Sequence, residues 1–501
     1  MQMPRLNVLF GGVASENVMD PFCRMVPIVL ALLLRLLFAL PVLVHPERSF
    51  VPGDSERYHR LAINVAFRGS FSINDEPYFL RPPAYPAFLA LLYRAFGANE
   101  RIAVLAQIVV SVITVALLGM LTKALFGSGA VHAMLLFAIN PLSIAMCVVL
   151  MSETLFSALI CGALVAFLHG YLMHARNRHA NAIGWFVICG VLSGIAVLCR
   201  SVAIGALPLL ALLTLFACRQ CSYRARVMQS LVLVVTALLI VLPWMLRNRF
   251  SLGRYLIDTN GQVTLTFFAS QILSERYGMS LDESDEALLK LASMRFGWSY
   301  TPSDALNLHI FCERHPEKAI ELSQVSRHIV LTEWKESLRR YLHGCLLMWV
   351  PFVSYSTLLG TLYGEVPPPR GVGGLSAQVL RRLLKFRFKE AFELAMEERF
   401  LRYPLVTLLW LVMLLVELCV YAFAAIGLFV AGGNALAASL TVAVMLYFTL
   451  TGGIAGHFNL SRLRMPIEPL LCAAAGHGVK WLAIRLRGAP RTQGEWATNV
   501  R

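Results

Sequence analysis

Apolar stretches long enough to cross ~30 Å of hydrocarbon recur along this chain, and no other feature constrains its fold more. They fall at residues 25–44, 102–121, 131–150, 154–173, 183–198, 202–217, 229–246, 404–430, 435–454 and 467–484. In hydrocarbon every backbone N–H and C=O must find its partner inside the protein, and uninterrupted runs of this length do so as helices. The expected fold is therefore an all-α polytopic membrane protein, a bundle of about ten or eleven transmembrane helices. Composition agrees: 57% of residues are hydrophobic and only 15% charged, with a mean hydropathy of +0.65. A soluble chain carries about a quarter charged residues. No small-residue cleavage site follows the first stretch, which is expected to remain as an anchor.

A formal net charge of +15 raises the question of nucleic acid. The cations, however, gather at the ends of apolar stretches and in short loops such as 174–179 and 218–226. Those two loops are separated by two spans and share a side, which the positive-inside rule makes cytoplasmic. The basic charge is thus topological, and no nucleic-acid partner is expected. Of eleven cysteines, Cys218 and Cys221 form a Cys-x-x-Cys with no second pair, short of the four ligands a structural zinc needs. Cys312 and Cys345 lie in one large outer region, where a disulfide is left open.

Counting spans from the cytoplasmic loops divides the chain as follows. Residues 1–24 form a cytoplasmic N-terminus, and 25–249 a transmembrane core with its first outer loop at 45–101. Residues 250–403 form a periplasmic region, helical around 318–340. Residues 404–487 hold the C-terminal transmembrane helices, and 488–501 a cytoplasmic tail. The run 341–363 is apolar enough to span but carries His343 and Pro351. It is assigned to the outer interface, because that keeps the basic tail inside.

The first outer loop is richer in polar side chains than a connection needs to be. Asp54 and Tyr58 stand near its start, Arg81 and Tyr85 further along. Asp54 and Ser55 alone read equally well as the cap of a helix with an inner face of Tyr58, Leu61, Ala62, Val65 and Ala66. Arg81, held by Pro82 and Pro83, would serve as a headgroup anchor. On the same expected face lie Glu153, Arg200, Arg247, His457, Arg462 and Arg464. Arginine binds phosphate oxygens with a planar fork, so a ring of arginines at the lipid boundary suits a phosphorylated, apolar-tailed substrate. Arg35 differs, because an arginine within a span costs ~2.5–3.5 kcal/mol and needs a partner or a polar cavity.

The order of these motifs carries more than any one of them. Asp54-x-x-x-Tyr58 is followed by Arg81-Pro-Pro-x-Tyr-Pro, Asn140-Pro, Met151-Ser-Glu153, Gly194 to Arg200, Pro243-Trp-x-x-Arg-Asn and Arg462-x-Arg-x-Pro. The series resembles the GT-C membrane glycosyltransferases, in the branch that holds protein O-mannosyltransferases and bacterial lipid A aminoarabinose transferases. The resemblance covers residues 25–250 and a shorter match at 457–470. It implies transfer of a sugar from a polyprenyl-phosphate carrier to a glycolipid, polysaccharide or protein acceptor on the periplasmic face of a bacterial inner membrane. It further implies that the first outer loop forms two helices along the membrane and that Asp54 is the catalytic base. Arg81, Arg200, Arg247, Arg462 and Arg464 would stabilise the leaving phosphate, and Tyr58 and Glu153 would orient the reacting groups. Tyr85 and His457 complete the implied binding set, and inversion at the anomeric carbon is the implied stereochemistry. No cofactor is expected, and a divalent cation is left open. Protein O-mannosyltransferases place a second acid directly after the first, where this chain has Ser55, so a paired-carboxylate mechanism does not carry over. A lipid-linked sugar flippase and a catalytically silent partner of a polysaccharide-assembly complex stay as alternatives.

Overall fold

A computed structural model describes residues 21–51, 53–176, 178–217, 222–349, 382, 387–395, 404–431, 435–455 and 460–487. The expected Cys218–Cys221 motif, His457 and the run from residue 350 to 363 lie outside the described residues. The protein is a multi-pass, all-α membrane bundle, and each of the ten apolar stretches is helical.

Seven helices are long and apolar enough to cross a membrane among the described residues. They belong to α1 (Pro21–Val44), α4 (Glu100–Phe126), α7 (Glu153–Ala175), α8 (His179–Cys199), α10 (Tyr223–Leu252), α18 (Pro404–Val430) and α19 (Ala435–Gly452). The other three stretches depart from a simple span. Residues 131–150 divide into α5 (Ala130–Ala138) and α6 (Pro141–Cys147), bent by 55°. Residues 202–217 form a 3-10 turn, Ser201–Gly205, and the short α9 (Ala206–Ala217). The last, α20 (Glu468–Leu486), carries Glu468, Lys480 and Arg485 and falls outside the seven.

Sequence explains the break. Pro141 has no N–H to continue a helix from above, and the Asn140 side chain caps α6 by accepting from the Ser143 N–H at 2.8 Å. The carbonyls freed at the end of α5 are taken by Arg35 of α1. Its guanidinium donates to Ala138 O at 3.0 Å, Phe137 O at 3.3 Å, Ser143 Oγ at 2.8 Å and Ser111 Oγ of α4 at 2.7 Å. The partner demanded for a mid-span arginine is a broken helix rather than an acid.

Helix α7 lies at the centre, packed on α4 and α8, which explains why its apolar residues run all round it. Helix α20 packs on α5 and α18 through small residues. A Cβ on Gly427 would collide with the Ala474 carbonyl oxygen, so the α18 and α20 backbones touch.

At one end of the bundle the first outer loop forms two helices, α2 (Asp54–Arg68) and α3 (Ala84–Phe96). Helix α2 buries Tyr58, Leu61, Ala62 and Ala66 of the stripe read from spacing, and leaves its fifth member, Val65, half-buried. Between the helices, Ser72–Ile73 pairs antiparallel with Glu76–Pro77. The turn places Asn74 and Asp75 at φ 52° and 64°, a left-handed pair that these two residues tolerate. Helices α11 (Asn260–Tyr277), α12 (Leu281–Phe296), α13 (Pro302–Leu306), α14 (Leu308–Arg314), α15 (Pro316–Thr332) and α16 (Trp334–Met348) follow α10. They close a second core over this loop, in which Leu61, Tyr78 and Leu80 pack with Val263, Leu288 and Phe311. Cys312 and Cys345 are both free and buried. A short helix, α17 (Phe388–Ala395), precedes the C-terminal helices.

Candidate active site

Gly53, at φ 84°, turns the chain into α2, a conformation that a Cβ would strain. Asp54 is the first residue of that helix, and its carboxylate caps nothing: the N-cap position, Gly53, has no side-chain bond. Ser55 instead ties the entry, its Oγ accepting from the Val51 N–H at 2.8 Å. The Asp54 carboxylate is left to face arginines. Arg81 pairs with its Oδ1, and Arg462 Nη1 lies 3.0 Å from Oδ2. The hairpin between α2 and α3 makes the first contact, because it folds the chain back and sets Tyr78 to Arg81 over the start of α2.

A second carboxylate belongs to the same cluster. Glu153 opens α7, is 1% exposed, and accepts Arg200 Nη1 at 2.7 Å, with Arg462 Nε at 3.6 Å. Arg462 therefore bridges Asp54 and Glu153. Arg81 closes the other side by donating to Asn260 Oδ1 at 2.7 Å, and Asp258 lies at the Ser201 hydroxyl, within electrostatic range of Arg81. Arg81, Asp54, Arg462, Glu153 and Arg200 thus form one connected ring of charges, with Asn260 and Asp258 beside Arg81. Tyr58 sits close to its charges, buried, with its hydroxyl 3.5 Å from Ser152 Oγ.

Burial works against the Asp54 charge, but Arg81 and then Arg462 outweigh it and hold the carboxyl well below the usual range. Asp258 goes the other way: burial dominates and pushes it up to about 6. Burial raises the Tyr58 phenol, which stays neutral. His309 of α14 is lowered to about 4 by burial, then by Arg57 and Arg81. It is neutral near pH 7, and its Nδ1 accepts from Arg57 Nη2 at 3.1 Å. The Nε2 atom must then carry the proton. Arg57 also pairs with Glu313 at 2.7 Å and so latches α2 to α14.

The expected site residues thus divide. Asp54, Tyr58, Arg81, Glu153, Arg200 and Arg462 converge. Tyr85 packs edge-on to Tyr58 at 4.8 Å, but its hydroxyl is spent on Gln107 at 2.7 Å. Arg247 holds the hairpin, donating to Tyr78 O and Phe71 O at 3.1 and 3.2 Å and stacking on Phe79. Arg464 points into the bundle, fully buried between Glu468 and Glu417, the latter at 2.8 Å. His457 lies outside the described residues. Sequence reasoning missed Arg57, Ser152, Asp258, Asn260, His309 and Glu313. The polar run 258–262 directly after an apolar helix was the one available signal. Among the described residues no group of three His, Cys, Asp or Glu side chains is placed to hold a metal ion.

Inside the bundle a small apolar cavity of about 20 Å³ is lined by Ile160, Leu164, Leu209, Leu210, Val444 and Phe448. Two aromatic steps separate it from the ring: Arg200 covers Phe156 at 6.0 Å, and Phe156 meets Phe448 edge-on at 5.9 Å.

Fold and site together give a polytopic membrane bundle of GT-C-like fold, with the loop between its first two spans and the C-terminal helices meeting over one end. Residues 80–246 match the family model described as dolichyl-phosphate-mannose-protein mannosyltransferase. That stretch holds Arg81, Glu153 and Arg200 and stops short of Asp54 and Arg462. A search of the curated proteins finds no match. Among solved structures, the oligosaccharyltransferase AglB from Archaeoglobus fulgidus, in complex with an inhibitory peptide and a dolichol-phosphate, superposes with a TM-score of 0.51. Identity is 15%, and the match covers 93% of this chain and 51% of that one, so this chain spans about half the length of its neighbour. The apo form of the A. fulgidus oligosaccharyltransferase gives 0.50 at 13% identity, covering 95% and 53%. ArnT from Cupriavidus metallidurans bound to undecaprenyl phosphate is more distant by superposition, at 0.39 and 18% identity, covering 93% and 79%. These likenesses are of fold.

Proposed function

We propose that the protein is a membrane glycosyltransferase that moves a sugar from a polyprenyl-phosphate donor to an acceptor hydroxyl at the periplasmic face of a bacterial inner membrane. The observation that carries this reading is one ionised carboxylate, Asp54, held by two arginines in a cluster of charges at one end of a membrane bundle. The partial match to a mannosyltransferase family model supports it, as does a fold shared with a protein whose structure contains dolichol-phosphate.

The donor's apolar tail would lie against the membrane-spanning helices and its phosphate at Arg200, Arg462 and Arg81. A carboxylate clamped as Asp54 is makes a weak base. A phosphate arriving at the ring competes for Arg462 and Arg81, loosens the clamp and raises the basicity of Asp54. Asp54 then takes the proton of the acceptor hydroxyl as its oxygen bonds to the anomeric carbon. The bond from that carbon to phosphate oxygen breaks with its electron pair, and polyprenyl phosphate leaves against the arginines. One displacement inverts the anomeric carbon. Glu153 holds Arg200 and Arg462 in position throughout.

The test compares native protein with Asp54→Asn in lipid nanodiscs, supplied with radiolabelled polyprenyl-phosphate sugars and membrane extract. Native turnover that falls about 10²–10⁴-fold in the variant, with carrier binding retained, is the expected result. Equal turnover in both removes Asp54 as the base. Movement of the carrier between leaflets with no sugar transferred replaces the enzyme with a flippase.

A further inference from the structure

Unbonded buried atoms occur on both sides of the ring, but at Glu153 they face Arg200 and Arg462 as ion pairs, at 2.7 and 3.6 Å. On the side formed by the start of α11, Asp258 Oδ2, Thr259 Oγ1 and Gln262 Oε1 are buried atoms with no hydrogen-bond partner. Asp258 is 7% exposed and Thr259 1%. Buried acceptors are normally paired, and an unpaired one costs free energy that a ligand can recover. The segment is also held rigidly. Thr259 N donates to Phe79 O at 2.9 Å, Asn260 N donates to Asp258 Oδ1 at 3.0 Å, and Asn260 Oδ1 accepts from Arg81. Two donors on the neighbouring loop, Tyr78 Oη and Arg81 Nε, are likewise buried and unbonded.

Acceptors in want of donors, set beside donors in want of acceptors, do not suit a phosphate, which at neutral pH offers acceptor oxygens almost alone. They suit a ring of hydroxyls, each of which donates and accepts at once. We infer that Asp258, Thr259 and Gln262, with Tyr78 and Arg81, form the subsite that holds the sugar ring of the donor and sets which sugar is taken. This rests on the glycosyltransferase reading above. The sugar then sits at the α11 side of the ring and the phosphate at the Arg200–Arg462 side, with the anomeric centre between them and within reach of Asp54. Acceptors of this kind discriminate steeply, because a sugar lacking the matching hydroxyl leaves them bare again. The burial that raises the Asp258 carboxyl also makes a donating partner worth more there.

The test uses full-length protein in nanodiscs and measures two affinities by competition. One probe is bare undecaprenyl phosphate. The others are undecaprenyl phosphate carrying glucose, mannose, galactose, N-acetylglucosamine or 4-amino-4-deoxyarabinose. Native protein is expected to bind at least one sugar-bearing lipid tenfold or more tighter than the bare one. Gln262→Leu and the near-isosteric Thr259→Val should each narrow that gap severalfold and leave the bare-lipid affinity unchanged, which also reports that these variants fold; Asp258→Asn should narrow it as well. A gap preserved in all three variants, or absent from native protein that binds the bare lipid well, overturns the subsite and leaves the enzyme reading standing. Native protein that binds neither lipid overturns the parent reading, and the subsite with it.

Discussion

Arg462 and Arg464 stand two positions apart and have opposite duties. Arg462 reaches Asp54 and Glu153 at a partly open ring, whereas Arg464 is sealed between Glu417 and Glu468 inside the bundle. Arg462→Ala should cut turnover about 10²–10³-fold while thermal stability hardly changes, because a charge aimed at the leaving group is lost and no sealed charge is stranded. Arg464→Leu leaves two carboxylates without their cation and should cost about 3–5 kcal/mol of stability, read as a large fall in melting temperature of the purified protein. If both variants melt alike, the division is wrong. The acids of the ring differ as sharply in pH. Arg81 and Arg462 outweigh burial at Asp54, so it stays ionised at every working pH, and His309, lowered to about 4, stays neutral. Asp258, raised by burial to about 6, is a neutral acid below that pH and an accepting carboxylate above it. Affinity for the sugar-bearing donor should therefore rise as pH increases through about 6, and Asp258→Asn should flatten the rise. An unchanged profile in the variant assigns the titration elsewhere.

At the scale of elements, the bent α5–α6 pair is stable because a neighbour supplies what the break removes. Arg35→Met keeps the volume and takes away every donor to Ala138, Phe137 and Ser143. Several buried acceptors are stranded at once, so a loss of about 2–4 kcal/mol is expected, read in the same melting assay. A loss under about 1 kcal/mol would mean that water fills the break. What could be read beforehand follows the same logic. Spans were legible because hydrocarbon imposes one length and one pattern on any helix that crosses it. The α2 stripe was legible because its period is local, and so was the need of Arg35 for company. The identity of that company was not, since a carbonyl freed a hundred positions away leaves no trace near residue 35. Asp54, Arg81, Glu153, Arg200 and Arg462 could be grouped because each stands at an element end on one expected face. Tyr85, Arg247 and Arg464 have the same signature and serve packing or the hairpin instead. Asp258, His309 and Glu313 escaped because only the tertiary path over the first loop brings them to the ring.

For the molecule as a whole, the helices α11–α16 act as a roof fastened to the first outer loop by shared core and by the Arg57–Glu313 pair. Glu313→Gln weakens that fastening without touching the ring. Residues 54–68 should then exchange amide hydrogens faster, and turnover should fall several-fold while donor affinity holds. Unchanged exchange would show that the apolar core alone secures α2. The ring has a further consequence for how the protein is made. Asp54 and Arg462 meet across 408 positions of chain. A ribosome delivering helices in order must therefore release the chain through residue 462 before both arginines hold the carboxylate. Until then Asp54 has Arg81 alone, and the full clamp becomes a checkpoint that only insertion of the C-terminal helices can pass.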